Sequence, residues 1–197
     1  MLIHTALVII AYLAGSLASA VLVCKALRLG DPRQGGSGNP GATNVLRLYG
    51  KTAALLTLAG DVLKGLLPVL LLRYLHAPDL VIALGGLAAF VGHLYPLFFG
   101  LRGGKGVATL IGALLGFNWL SGAAFIITWL LVALVSRYSS VAALTAALLT
   151  PLYCWLILPA APYVTVTGVM SALLIWRHRS NMQNLLRGTE TRIRPGR

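Results

Sequence analysis

Long stretches without a formal charge constrain this chain more than any other feature. Residues 2–23, 107–136 and 138–176 contain no Lys, Arg, Asp or Glu. A helix of about 20 apolar residues, rising ~1.5 Å per residue, crosses a bilayer core of ~30 Å. The first run is long enough for one crossing and the other two are each too long for one. A soluble fold is excluded on the same grounds, since only 10% of residues are charged and 58% are hydrophobic, where a soluble domain carries roughly 25% charged residues. Disorder is excluded too, because it requires low hydrophobicity.

The spans follow from the interruptions. Residues 2–23 read as one uncleaved helix, because Lys25 and Arg28 follow the apolar run and no basic segment precedes it. A polar, glycine-rich connector covers residues 29–51. A second span, 52–72, contains Asp61 and Lys64, and a third covers 80–101. The sequence Gly116-Phe117-Asn118 divides the next run into a short helix, 107–115, and a full span, 119–135. Pro159 to Pro162 divides the last run into two more. The expected fold is therefore all-α, an integral membrane protein of about seven transmembrane helices, some short or re-entrant, forming one polytopic domain over 1–197.

Charge decides the orientation. The chain has 16 Lys and Arg against 4 Asp and Glu, a net charge of +12. Lys25, Arg28, Arg33, Arg47, Lys51, Arg102, Lys105, Arg137 and the tail arginines share one side of the seven-span scheme, and only Arg73 falls on the other. The positive-inside rule then places the N-terminus outside and puts both glycine-rich loops and the basic tail, 177–197, in the cytoplasm. A five-span version in which the short elements re-enter keeps the same sidedness. Basic residues at span ends are not a nucleic-acid surface, and none is expected as a partner. Four carboxylates are too few for acid pairs or carboxylate metal cages, and neither a metal nor a cofactor is expected. Cys24 and Cys154, both in apolar runs, read as small core residues.

Two loops carry residues suited to anions. In the connector, Gly36 to Gly41 fits GxGxxG literally, but its flanks are membrane helices and not a βαβ unit. Glycine-freed amides such as that of Gly38, with the side chains of Ser37, Asn39, Thr43 and Asn44, make a nest for phosphate oxygens, and Arg47 follows within reach. The other reading is a flexible connector. In the second loop, Lys105 stands among Gly103, Gly104 and Gly106 at the start of the short helix, where an ammonium and exposed amides favour an anion; the other reading is a positive-inside marker. Asp61 and Lys64 share a helical face inside a span, as a structural ion pair or a substrate contact. His93 precedes Pro96 at the end of the third span. His178 and Asn181 face the same cytoplasmic surface, and Gly188 ends their helix.

These segments, Asp31 to Gly50, Asp61 to Gly65, Gly92 to Thr109 and His178 to Glu190, resemble the bacterial acyl-phosphate-dependent glycerol-3-phosphate acyltransferases, the PlsY family, in order and spacing. Asn184, where an arginine is usual, and Leu101, where an aromatic is usual, depart from the pattern. The resemblance implies transfer of a fatty acyl group from acyl phosphate to the 1-hydroxyl of glycerol 3-phosphate, giving lysophosphatidic acid and phosphate. It implies seven helices, a site facing the cytoplasm from the bacterial inner membrane, and contact with membrane lipid. Ser37, Arg47, Lys105, His178 and Asn181 match the family's phosphate pocket; Asn39, Asn44 and His93 fall within its motifs. A monomer is expected. The general base is either His178 or a substrate phosphate oxygen. The alternative from another class is a transporter or channel for a phosphorylated anion, with Asp61 and Lys64 as a midplane relay.

Overall fold

A computed structural model describes residues 2–193; Arg194 and Arg197 of the basic tail lie outside the described residues. The described residues hold ten α-helices and no strand. They divide into two compact units, 1–117 and 118–197, taken separately below.

The first unit begins with α1 (Leu2–Gly15) and α2 (Ser19–Ala26), which meet at a bend of 49°. The single straight span expected for residues 2–23 is thus corrected to a broken one. The break falls at Gly15 to Ala18, where Ser16 Oγ folds back on the Tyr12 carbonyl. The connector contains a 3-10 turn, Pro32–Gln34, and a helix the sequence reading treated as loop, α3 (Ala42–Tyr49), set between Gly41 and Gly50. Val45 of α3 packs into a cluster with Ala20 and Cys24 of α2 and with Ala53 and Ala54 of the next helix. Tertiary burial, which propensity cannot see, gives α3 its stability.

Long α4 (Lys51–Tyr74) is followed by α5 (Asp79–Leu94), whose N-terminus carries the favourable charge of Asp79. The third span was expected to reach Leu101 but its helix stops at Leu94, because Pro96 cannot supply a helical amide. A 3-10 turn, Leu97–Phe99, then leads through the second glycine loop into α6 (Val107–Phe117). Only 11 residues long, α6 covers about half a bilayer core at ~1.5 Å per residue.

Two glycine pairs set how closely these helices cross. A methyl on Gly65 of α4 would strike the Thr109 carbonyl, and one on Gly112 of α6 would strike that of Val62. Gly15 of α1 meets the Ala89 carbonyl and Gly92 of α5 that of Tyr12 in the same way. Small residues permit such backbone approaches where lipid supplies no hydrophobic drive between helices. The far end of α6 is capped by Arg73 of α4, whose Nη1 donates to the carbonyls of Gly116 and Phe117 at 2.8 and 3.0 Å.

The second unit contains α7 (Trp119–Ser136), α8 (Ser139–Ile157), α9 (Ala161–Arg177) and α10 (Arg179–Leu186). Both expected breaks occur: Asn118 accepts a hydrogen bond from the Leu120 amide to start α7, and Pro162 sits in the first turn of α9. Gly188, at φ +69°, ends α10 with Gly188 N donating to Leu185 and Thr189 N to Asn184, a Schellman closure. Leu134 and Val135 of α7 are 76% and 85% exposed. Large apolar side chains turned outward on uncharged helices are what a lipid-facing surface requires. Among the described residues, four helices are long and apolar enough to cross a membrane, five if the bent α1 and α2 pair counts as one span.

Candidate functional site

The first glycine loop is built around one buried amide. Asn44, 1% exposed, accepts from Ser37 N at 2.9 Å and donates through Nδ2 to the carbonyls of Pro32 and Gly35 at 2.9 and 3.1 Å. Gly36 and Gly38 take left-handed φ values of +59° and +67°, which an L-residue adopts only with strain. The sequence reading placed Asn44 among the phosphate ligands; its amide is instead committed to shaping the loop. The amides of Ser37, Gly38 and Gly41 are also used internally, by Asn44, Gly35 and Asn39. At the start of α3, Gly41 provides no side-chain cap for the first amides and the Thr43 side chain is exposed. Ser37 and Arg47 are exposed and Asn39 is half-buried.

The second loop is pinned to the end of α5. Gly103 N donates to the Leu94 carbonyl and Gly104 N to that of His93, each at 3.2 Å. Those two amides, expected to face phosphate, hold the turn down instead. Gly106, at φ +93°, lies against the Phe90 ring and releases the chain into α6. Lys105, half-buried, stands between these fixed glycines.

Arg33 joins the two loops. Its Nη1 donates to the Phe99 carbonyl at 3.4 Å, while Nε and Nη2 grip Asp31 at 3.0 and 2.7 Å. The Arg33 hydrogen bonds hold the Asp31 carboxyl below the ordinary carboxylate range, and the same contacts raise the guanidinium. This bridge was not foreseen, because a basic residue in a cytoplasmic loop already satisfies the positive-inside pattern.

Beneath the second loop, Asp61 Oδ1 lies 2.8 Å from Lys64 Nζ and 3.5 Å from His93 Nδ1. Lys64 also donates to the Leu17 carbonyl at 2.8 Å, taking up an acceptor freed by the α1 and α2 break. Of the two readings of Asp61 and Lys64, the structure shows the ion pair and adds His93 as a third member, which no local sequence spacing signals.

In the second unit, His178 is buried at the corner between α9 and α10, with Nδ1 2.9 Å from the Leu174 carbonyl. With a carbonyl as acceptor, Nδ1 is the nitrogen that carries the proton in this contact. Asn181 Nδ2 donates to Glu190 Oε1 at 2.7 Å, and Ser140 Oγ donates to the same oxygen at 2.7 Å. Glu190 thus fixes the Asn181 amide, a role not read from the sequence because it depends on the fold returning residue 190 to Asn181 and Ser140.

Residues 5–188 match the family model described as glycerol-3-phosphate acyltransferase. A glycerol-3-phosphate acyltransferase of Methylococcus capsulatus is 55% identical over 183 residues, covering 93% of this chain and 92% of the relative. One from Proteus mirabilis is 48% identical, covering 95% and 85%. Among solved structures, the chain is similar to PlsY, an integral membrane glycerol 3-phosphate acyltransferase, in its glycerol 3-phosphate form. The TM-score is 0.92, with 39% identity over 96% of this chain and 94% of that one. The lysophosphatidic acid form of the same enzyme gives a TM-score of 0.90 at 38% identity, with the same coverage.

Proposed function

Because the chain belongs to the glycerol-3-phosphate acyltransferase family, we propose that this membrane-embedded acyltransferase takes its acyl group from acyl phosphate and delivers it to the 1-hydroxyl of glycerol 3-phosphate. The products are lysophosphatidic acid and inorganic phosphate. Family membership decides against the transporter reading. The observation that carries the proposed site is the joint construction of the two glycine loops, each pinned by its own buried partner and tied together through Arg33 and Phe99.

An acyl phosphate is a mixed anhydride. The glycerol oxygen attacks the acyl carbon, the carbon–oxygen bond to phosphate breaks, and the phosphate leaves with the bonding pair. Positioning and stabilisation of developing negative charge are the main demands. Ser37, Asn39, Thr43, Arg47 and Lys105 are assigned to the phosphate oxygens, with Lys105 offsetting the repulsion between two anionic substrates. Gly38 and Gly106 serve this arrangement by bending the backbone, and Gly103, Gly104 and Asn44 by holding it. His178 and Asn181 are assigned to the same reaction by the motif that carries them. The hydroxyl proton passes to a substrate phosphate oxygen, with Nε2 of His178 as the competing base.

The same proposal places the protein in the bacterial inner membrane as a monomer and one working domain. It has seven spans, counting the bent α1 and α2 pair and short α6, with the N-terminus outside and the loops and tail cytoplasmic. Detergent-purified protein is expected to release phosphate only when acyl phosphate and glycerol 3-phosphate are both present. Release independent of glycerol 3-phosphate, or isolation of an acyl-Ser37 adduct, overturns the direct-transfer mechanism.

A further inference from the structure

His93, which its motif groups with the phosphate contacts, lies instead in a buried cluster with Lys64 and Asp61, and that cluster consumes the only carboxylate of α4. We propose that this cluster positions the second glycine loop: Asp61 fixes the His93 imidazole, His93 holds the turn, and the turn sets the place of Lys105. The inference rests on the assignment of Lys105 to the substrate phosphates.

Each link is geometric. The side chains of Asp61, Lys64 and His93 are 3%, 6% and 6% exposed, so water does not stand in for a missing partner. Lys64 bonds both Asp61 and the Leu17 carbonyl at 2.8 Å, which anchors the carboxylate against the α1 and α2 break. The remaining neighbour of that carboxylate oxygen is His93 Nδ1. A proton on Nδ1 facing Asp61 fixes both the tautomer and the plane of the ring, as an outer partner does for a metal-bound histidine. The opposite edge of that ring bears on the turn, since a methyl added to Gly104 would strike His93 Nε2. Main-chain atoms complete the hold through Gly104 N to the His93 carbonyl and Gly103 N to that of Leu94. One residue therefore grips the turn by its backbone and braces it with its ring, and Lys105 follows next in the chain.

A purely structural ion pair is a poor explanation for the cluster. Replacing a buried pair with well-packed apolar side chains is often neutral or stabilising, because desolvation opposes the Coulomb gain. What an apolar replacement cannot do is orient an imidazole against Gly104. Removing the outer partner of a metal-bound histidine typically changes activity about 10- to 100-fold, and a loss of that size is expected for His93.

The experiment uses the full-length protein in detergent, with phosphate release from acyl phosphate and glycerol 3-phosphate as the activity readout. Hydrogen exchange at the Gly103 and Gly104 amides is the readout independent of activity. His93→Asn keeps a donor for Asp61 but removes the edge against Gly104. It is expected to lower kcat/KM about 10- to 100-fold and to speed exchange at both glycines. In a Lys105→Ala background the same substitution is expected to cost nothing further, because both act through one group. Asp61→Asn alone strands the Lys64 ammonium and risks misfolding, so Asp61→Asn with Lys64→Met, which removes both charges, serves as the second variant with the same expected loss. Unchanged exchange at Gly103 and Gly104 in His93→Asn and in the paired variant overturns the proposal whatever the activity. A full additive loss on top of Lys105→Ala overturns it as well. Wild-type protein that releases no phosphate refutes the Proposed function, and the exchange result still decides the positioning role.

Discussion

Replacing Asn44 with alanine tests whether the first glycine loop owes its shape to one side chain. The amide makes three hydrogen bonds, with Ser37 N and with the carbonyls of Pro32 and Gly35. Each is worth about 1 kcal/mol net, and a buried group left unpaired costs more. Ser37 and Gly35 lie near water, so the total is set at about 2–3 kcal/mol for ordering the loop. At ~1.4 kcal/mol per factor of ten, the equilibrium constant for ordering the loop falls roughly 30- to 150-fold, and kcat/KM falls by up to that factor. The melting temperature is expected to move little, because α3 keeps its packing through Val45. Two assays separate the effects. Phosphate release gives kcat/KM, and limited trypsin digestion reports the loop through its flanking Arg33 and Arg47, whose peptide bonds become accessible when it loosens. Asn44→Asp, which keeps the acceptor but turns a carboxylate toward two carbonyls, is expected to do no better than alanine. Wild-type turnover and an unchanged tryptic pattern in Asn44→Ala refute the argument that this side chain shapes the loop.

The remaining expectations address charge, packing and pH. Lys105→Ala removes charge stabilisation worth about 3 kcal/mol by comparison with loss of one oxyanion donor, so kcat/KM is expected to fall on the order of 100-fold; near-normal turnover removes Lys105 from the site. Gly112→Ala drives a methyl into the Val62 carbonyl, which overpacking arguments put at about 1–3 kcal/mol of destabilisation, whereas Gly168→Ala meets open space within α9 and is expected to gain about 0.5–1 kcal/mol. Opposite shifts in thermal unfolding check the pair. Glu190→Gln keeps an acceptor for Ser140 and Asn181 but loses the charge, at about 1 kcal/mol per bond. A drop of roughly tenfold or more in turnover is expected, greater in Glu190→Ala, and equal activity in all three proteins contradicts the link from Glu190 to Asn181. Because hydrogen bonds from Arg33 hold the Asp31 carboxyl below its ordinary range, their contribution is complete above about pH 4 and is lost as pH falls through the lower folded value. Exchange protection of residues 31–38 is expected to follow that course in wild type and to be low at every pH in Asp31→Asn.

Much of the helical framework was legible because charge-free length and helix-breaking residues are local properties. Asn118 and the Pro159 to Pro162 segment mark their breaks by side-chain capping and by a missing amide, both readable without tertiary knowledge. The bend at Gly15 to Ala18 was not legible, because its polar partner, Lys64, lies 47 residues away from Leu17. Helix α3 was hidden for a related reason: its eight residues are too few to be stable alone, and its burial comes from α2 and α4. At the site, residue types announced anion chemistry, but not which polar groups face outward. Asn44, Gly103 and Gly104 all have donors that suit phosphate, and all three spend donors on the fold. A sequence names donors; only the packed chain shows which have been used.

That distinction explains what so few carboxylates are for. Asp31 grips Arg33 beside the first loop, Asp61 joins Lys64 to His93 beneath the second, and Glu190 binds Ser140 and Asn181 in the last motif. Asp79 sits in the first turn of α5, where a negative charge suits the helix dipole. Three of the four thus stand next to a motif and hold polar groups in place. Arg33 and Lys64 are matched by carboxylates, and Lys105 follows directly on a turn whose backbone is already tied down. The sequence carries 16 Lys and Arg against 4 Asp and Glu, and so large an excess of cations attracts anions. A chain that spends its acids on geometry and leaves a surplus of cations is organised to receive phosphate groups, and the transfer step then asks for alignment more than for acid–base residues.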